Sequence, residues 1–343
     1  MSDEAGSRRA VTEGIALRRT PLNHPPYRRA AVILVVGTLM ACLFAVSYID
    51  ALGRPTARAL DVAVVGADPQ QDPFARGLSE GTSRGVVFTR FADVGSARTA
   101  VEEQRSYAVL VLEAGQPARL ELSSASGSSA VRVLTQAAAT VEAEVGTRVL
   151  ITDLNPLPPS DPSGLAEFYL TLAATIAGFV GTFQLRANAK PLPLPAWLLV
   201  TGTFAVSVSL LLVLVARFLL HVPLPVPLAW LLLGLQMVTA SAFAAAMSTL
   251  IGRWAIIPTW LLFVVLGNTS SGGAVAAGLL PEPFRRLSRL LPSGATVGGL
   301  RSAAYFPDTQ PIEPLLVLLL WAVGSVAALL LAVRATGRSP GLD

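Results

Sequence analysis

The sequence predicts an α-helical integral membrane protein with six transmembrane helices and a small extracytoplasmic α/β domain between the first and second. Three observations carry this. The 343-residue chain is 52% hydrophobic and 14% charged, whereas soluble domains are about 25% charged. Uncharged apolar runs near the ~20 residues needed to cross ~30 Å of hydrocarbon recur along it. Between the first two runs, residues 50–164 show short strands and an amphipathic helix instead.

The first run, 30–49, lies between Arg28, Arg29 and Asp50. A long basic region precedes it and no small-x-small cleavage site follows, so it reads as an uncleaved anchor. Further runs are Phe168–Leu185, about Leu194–Ala216, about Leu228–Ile251, one starting near Trp254, and Pro314–Val333. The prolines of HVPLPVP (221–227) break the third from the fourth by removing donors and clashing with the preceding turn.

Positive charge in the tail and short loops orients the chain. Arg8, Arg9, Arg18, Arg19, Arg28 and Arg29 place the N-terminus in the cytoplasm. An even number of spans returns the C-terminus there, with Arg186, Lys190, Arg253, Arg334 and Arg338 on the same side. This gives a basic tail (1–29), an anchor (30–49), the extracytoplasmic domain (50–164), a five-helix membrane domain (165–334) and a cytoplasmic tail (335–343). The setting is the plasma membrane. Arg285, Arg286, Arg289 and Arg301 fall outside.

In the external domain, strands are expected at 61–66, 86–91, 107–113 and 119–124, with a helix at 96–105 that Ser96 can cap. Val131, Leu134, Ala138, Val141 and Val145 form one stripe on a later helix. That stripe serves either the domain's own sheet or a second copy. LNPLPPSDPSG (154–164) is a linker into the second span.

The fifth span is broken. Trp254–Leu266 covers only about 20 Å at ~1.5 Å per residue, and GNTSSGG (267–273) and AVAAGLL follow. Backbone so polar cannot face lipid. Gly267, Asn268, Thr269, Ser270, Ser271, Gly272 and Gly273 are therefore read either as an early-starting outer loop or as a re-entrant segment on a translocation path. In EPFRRLSRLL (282–291), Phe284, Leu287, Leu290 and Leu291 share one helical face, and Arg285, Arg286 and Arg289 the other. This predicts a helix in the outer interface. Glu167 and Arg217 sit near span ends, where long side chains snorkel to the polar boundary, and Gly178 and Gly181 permit close helix approach.

His24, His221 and Cys42 are scattered, so no metal site, catalytic triad or intrachain disulfide is expected. There is no GxxxxGK[ST] phosphate loop. The readings are non-enzymatic: no catalytic residue, no cofactor and no nucleic-acid partner.

Asn268, Ser270, Ser271, Gly272, Gly273, Pro281, Phe284, Leu291, Pro292, Arg301 and Tyr305 form a pattern that resembles the ABC-2 type transporter permease superfamily. Within it, the pattern is most similar to the phage-infection-protein (YhgE/Pip-like) membrane proteins. The resemblance implies a homodimeric six-helix permease that exports an amphipathic or lipid-like substrate with a separate cytoplasmic ABC ATPase. The alternative is a non-transporting scaffold or receptor whose external domain binds a partner, because LRANAKPLPLP and the loop near Arg253 give an ATPase little to dock on.

Overall fold

The computed structural model describes residues 25–53, 55–146, 148–189 and 192–338. Arg8, Arg9, Arg18, Arg19, His24 and Lys190 lie outside the described residues. The chain divides into two compact units, Met1–Leu43 and Phe44–Asp343. In the first, the described residues form the start of one helix, α1 (Pro25–Leu52). Its Val32, Ile33, Leu34, Val35 and Leu39 side chains are exposed, a surface suited to lipid rather than water.

The second unit opens with a mixed α/β layer: β1 (Leu60–Gly66), α2 (Pro73–Gly81), β2 (Val86–Arg90), α3 (Val94–Glu102), β3 (Ala108–Leu112), β4 (Ala118–Leu122), α4 (Ser128–Val145) and β5 (Val149–Asp153). The sheet order is β2-β1-β3-β4-β5. β1 runs parallel to β2 and β3, because α2 and α3 supply the crossovers that parallel strands require. β4 is antiparallel to β3 and parallel to β5. Leu134, Ala138 and Val141 of α4 pack into the sheet's core, so most of the predicted stripe serves its own domain; Val145 is exposed. Neither α2 nor β5 is predicted by the hydrophobic pattern. The cap of α3 is also corrected: the helix begins at Val94, and the Asp93 carboxylate, not Ser96, accepts the free Ser96 amide at 2.9 Å.

Among the described residues, five helical stretches are long and apolar enough to cross a membrane: Arg28–Leu52, Ala166–Asn188, Leu194–Leu219, Val226–Asn268 and Ile312–Thr336. Val226–Asn268 joins two of the predicted spans. It comprises α7 (Val226–Ile251), a 3-10 turn at Gly252–Ala255, α8 (Ile256–Trp260) and π-helical winding over Leu261–Asn268. Gly252, at φ +60°, ends α7, a conformation that glycine takes without penalty. The Phe243 and Phe263 rings then meet edge to face with centroids 5.7 Å apart, so the two arms lie side by side.

α7 is the central helix, packed against α5 (Ala166–Asn188), α6 (Leu194–Leu214), α10 (Pro292–Tyr305) and α11 (Ile312–Thr336). At Gly178 a β-carbon would stand 2.8 Å from the Met237 carbonyl, which is how closely α5 approaches α7. Asp161, in the proline-rich linker, caps α5 by accepting the Leu165 and Ala166 amides at 3.0 and 2.9 Å. Arg217 is exposed, but Glu167 is fully buried and does not snorkel; α10 packs across that part of α5.

Candidate functional site at the domain junction

The GNTSSGG segment first finishes a helix. The last carbonyls of any helix lack intrahelical partners. Here Thr269 and Ser270 turn their hydroxyls back onto Val265 O and Leu266 O, and Ser271 donates to Asn268 O at 2.8 Å. Ser47, near the end of α1, donates to Val265 O at 3.2 Å. Gly267 lies so close to α10 that a β-carbon would meet the Ser293 hydroxyl at 2.8 Å, and one on Gly273 would meet the Phe168 side chain at 2.7 Å. All seven predicted residues, Gly267 to Gly273, are buried. Gly272, at φ +73°, turns the chain.

AVAAGLL does not complete a crossing. Val275, Ala276, Leu279 and Leu280 enter the core of the α/β layer beside Leu60, Leu78 and Leu134. The Ala276 amide donates to the Ser129 hydroxyl, and the Gly278 amide to the Tyr107 hydroxyl at 3.1 Å. The Arg58 and Ala59 amides close on Gly278 O. Hydropathy marks such a run as needing a core but does not say which core.

α9 (Glu282–Leu290) follows and then α10, which starts on Pro292, a residue suited to the first helical position. The 14 residues of α10 span about 21 Å at ~1.5 Å each, too short to cross. α10 has two working faces. On one, the Thr296 hydroxyl donates to Gln236 Oε1 at 3.0 Å, and Gln236 Nε2 donates to Thr175 Oγ1 at 2.7 Å. Thr175 and Thr171 bond back along α5, and Thr182 meets Ser241 at 2.7 Å. These residues form a buried polar column through α5, α7 and α10.

The other face, with Ala295, Gly298, Arg301 and Ser302, walls a cavity of about 300 Å³. The α/β layer supplies Gln104 and Tyr107, the loop after the π-helical turn supplies Ser271 and Gly272, and α9 supplies Ser288 and Arg289. Gln104 Nε2 donates to Ser302 Oγ at 2.6 Å, and Arg301 donates to Gly272 O at 3.2 Å. Beside the cavity, burial pushes the Asp61 carboxyl up from its ordinary range, while the Arg289 and Arg285 charges hold it back. Burial likewise pushes the Tyr107 phenol up.

Of the predicted site residues, Ser271, Gly272, Arg289 and Arg301 come together at this cavity. Arg285 and Arg286 instead pair with Glu282 at 2.9 and 3.2 Å, and Phe284 packs against the α/β core. Tyr305 is partly buried, its hydroxyl making no hydrogen bond of regular geometry with a described residue. Gln104, Tyr107, Ser288 and Ser302 escape sequence reasoning; the positive φ of Gln104 (+56°) is visible only in the fold. No protein-family model matches the chain, and no curated protein matches it.

Proposed function

We propose that the protein is the membrane permease subunit of an ABC-2 type exporter, moving an amphipathic or lipid-like substrate outward with a separate ATPase. One observation carries the reading: α10 presents Thr296 to a buried polar column on one face and Arg301 to an arginine-lined cavity on the other. A short, mostly buried helix between hydrophobic spans and an outer domain is where a path through a bundle would emerge. Its flanking loop is rooted in the α/β core, so motion of one part is transmitted to the other. In this reading the α7–α8 hairpin supplies the fourth span and a shorter, broken fifth of six, the termini are cytoplasmic, the α/β layer is outside and two copies pair.

The scaffold or receptor reading is favoured by a different observation. Gly252–Ala255 is a single tight turn, and it offers an ATPase almost no surface. Purification of the full chain in mild detergent, with mass spectrometry of its partners, separates the two. A stoichiometric nucleotide-binding protein is the expected result. Reproducible external partners with no ATPase would overturn the exporter reading.

A further inference from the structure

The junction cavity is kept open at a conformational cost. Glycine inside a helix is less favourable than alanine, yet Gly298 lines the cavity from within α10. A β-carbon there would touch nothing within 4 Å. No neighbour demands the glycine; what it preserves is volume. Gln104 makes a similar case. It sits just beyond α3 at φ +56°, where glycine is the usual residue. Its side chain is nonetheless the strut that reaches Ser302.

The lining favours a negative group. Arg289 makes no hydrogen bond or ion pair with any described residue, although its charge acts on Asp61. Arg301 gives an N–H to Gly272 O, and a guanidinium carries five donors. Two carboxylates also line the space: Glu103 is paired with Arg105 at 2.5 Å, and Glu313 is exposed. The Ser288 and Ser302 hydroxyls add donors. On the α11 side the wall is apolar, through Pro314 and Val317, and Ile312, Leu316 and Leu320 beyond it are exposed.

We infer that this cavity binds a phosphate-bearing group through Arg289 and Arg301, with any attached acyl chains lying along α11. Arginine suits phosphate because its planar fork can give two parallel N–H bonds to the oxygens. The inference deepens the exporter reading by naming the chemistry of the bound group, and rests on that reading only for the cavity's place in transport.

The test is direct binding to the full-length protein in mild detergent, by native mass spectrometry. The probes are dihexanoyl phosphatidic acid, dihexanoylglycerol and inorganic phosphate. Phosphatidic acid is expected to bind at least about tenfold tighter than the uncharged glyceride, the scale of a lost charge-assisted hydrogen bond. Arg289→Gln should weaken it about tenfold, and Gly298→Leu should abolish it by filling the space. Arg289→Gln should melt with the parent and Gly298→Leu no lower, since Arg289 has no described partner and leucine is more favourable than glycine within a helix. Competition by inorganic phosphate at similar concentration would support a site for free anions, and no competition one for a lipid head group. Equal binding of the two glycerides, or binding that survives Gly298→Leu, would overturn the inference. Neither result depends on whether an ATPase copurifies.

Discussion

The backbone amide of Ala276 donates to the Ser129 hydroxyl at 2.9 Å, across 147 positions of sequence. One partner follows the helical arm that folds back on α7; the other lies in the first turn of α4 in the α/β layer. Around this bond Val275, Leu279 and Leu280 are buried with the strands. The loop that leaves the helical bundle is therefore part of the α/β layer's own core.

That docking makes Gly278 a sensitive position. A β-carbon there would meet the Ala59 carbonyl oxygen at 2.7 Å and the Leu60 side chain at 2.9 Å, and a backbone atom cannot swing away. Gly278→Val should destabilise the protein by about 1–3 kcal/mol, the usual cost of overpacking. Thermal unfolding in detergent would read it, and an unchanged melting temperature would count against the docking of this loop.

Gln236 should matter less than its full burial suggests. Without it, Thr296 still donates to Pro292 O and Thr175 to Thr171 O. Gln236→Leu should cost about 1 kcal/mol, in line with hydrogen bonds between membrane helices. A loss above about 3 kcal/mol in an unfolding titration would mean that the column does more than align helices.

Glu167 is fully buried beside Tyr305, and neither carboxylate oxygen makes a hydrogen bond of regular geometry with a described residue. An unsatisfied buried carboxyl group is costly. Glu167→Leu, which replaces the carboxyl with apolar atoms of similar volume, is therefore expected to raise the melting temperature by a few degrees. A clear fall would indicate that the carboxylate is held by Arg301, whose charge acts on it.

The α/β layer should weaken in acid. Arg98 binds Glu121 through two hydrogen bonds of 2.7 and 2.6 Å, which holds the Glu121 carboxyl below its ordinary value of 4.5. A depressed folded-state value stabilises above the unfolded one, and the contribution is lost as pH falls through the folded value. Solvent reaches Arg98, which limits the effect to about 1 kcal/mol. Glu121→Gln should remove that much at pH 7 and flatten the acid limb below about 4.5. A variant with the parent's pH profile would refute the assignment.

Much of this architecture is written locally. The apolar runs and four of the strands are visible because hydropathy and alternation need only neighbouring residues. β5 is hidden because Leu150 to Asp153 are exposed, leaving no alternation to read. α2 is hidden by Gly77 and Gly81, and α10 by its small residues, Ser293 to Gly299, which no hydropathy window marks as a helix. At the cavity, Ser271, Gly272, Arg289 and Arg301 stand out as polar residues beside apolar runs. Gln104 and Ser302 do not, since their pairing joins positions 198 apart and depends on the α/β layer docking where it does.

Hydrogen exchange on the full-length protein in detergent, followed at residues 274–280, tests that docking most directly. If the loop is part of the α/β core, its amides exchange as slowly as those of β1 and β3, because both open only with the layer. Exchange within seconds, at the rate of an exposed loop, would contradict that docking and remove the cavity's α/β wall with it.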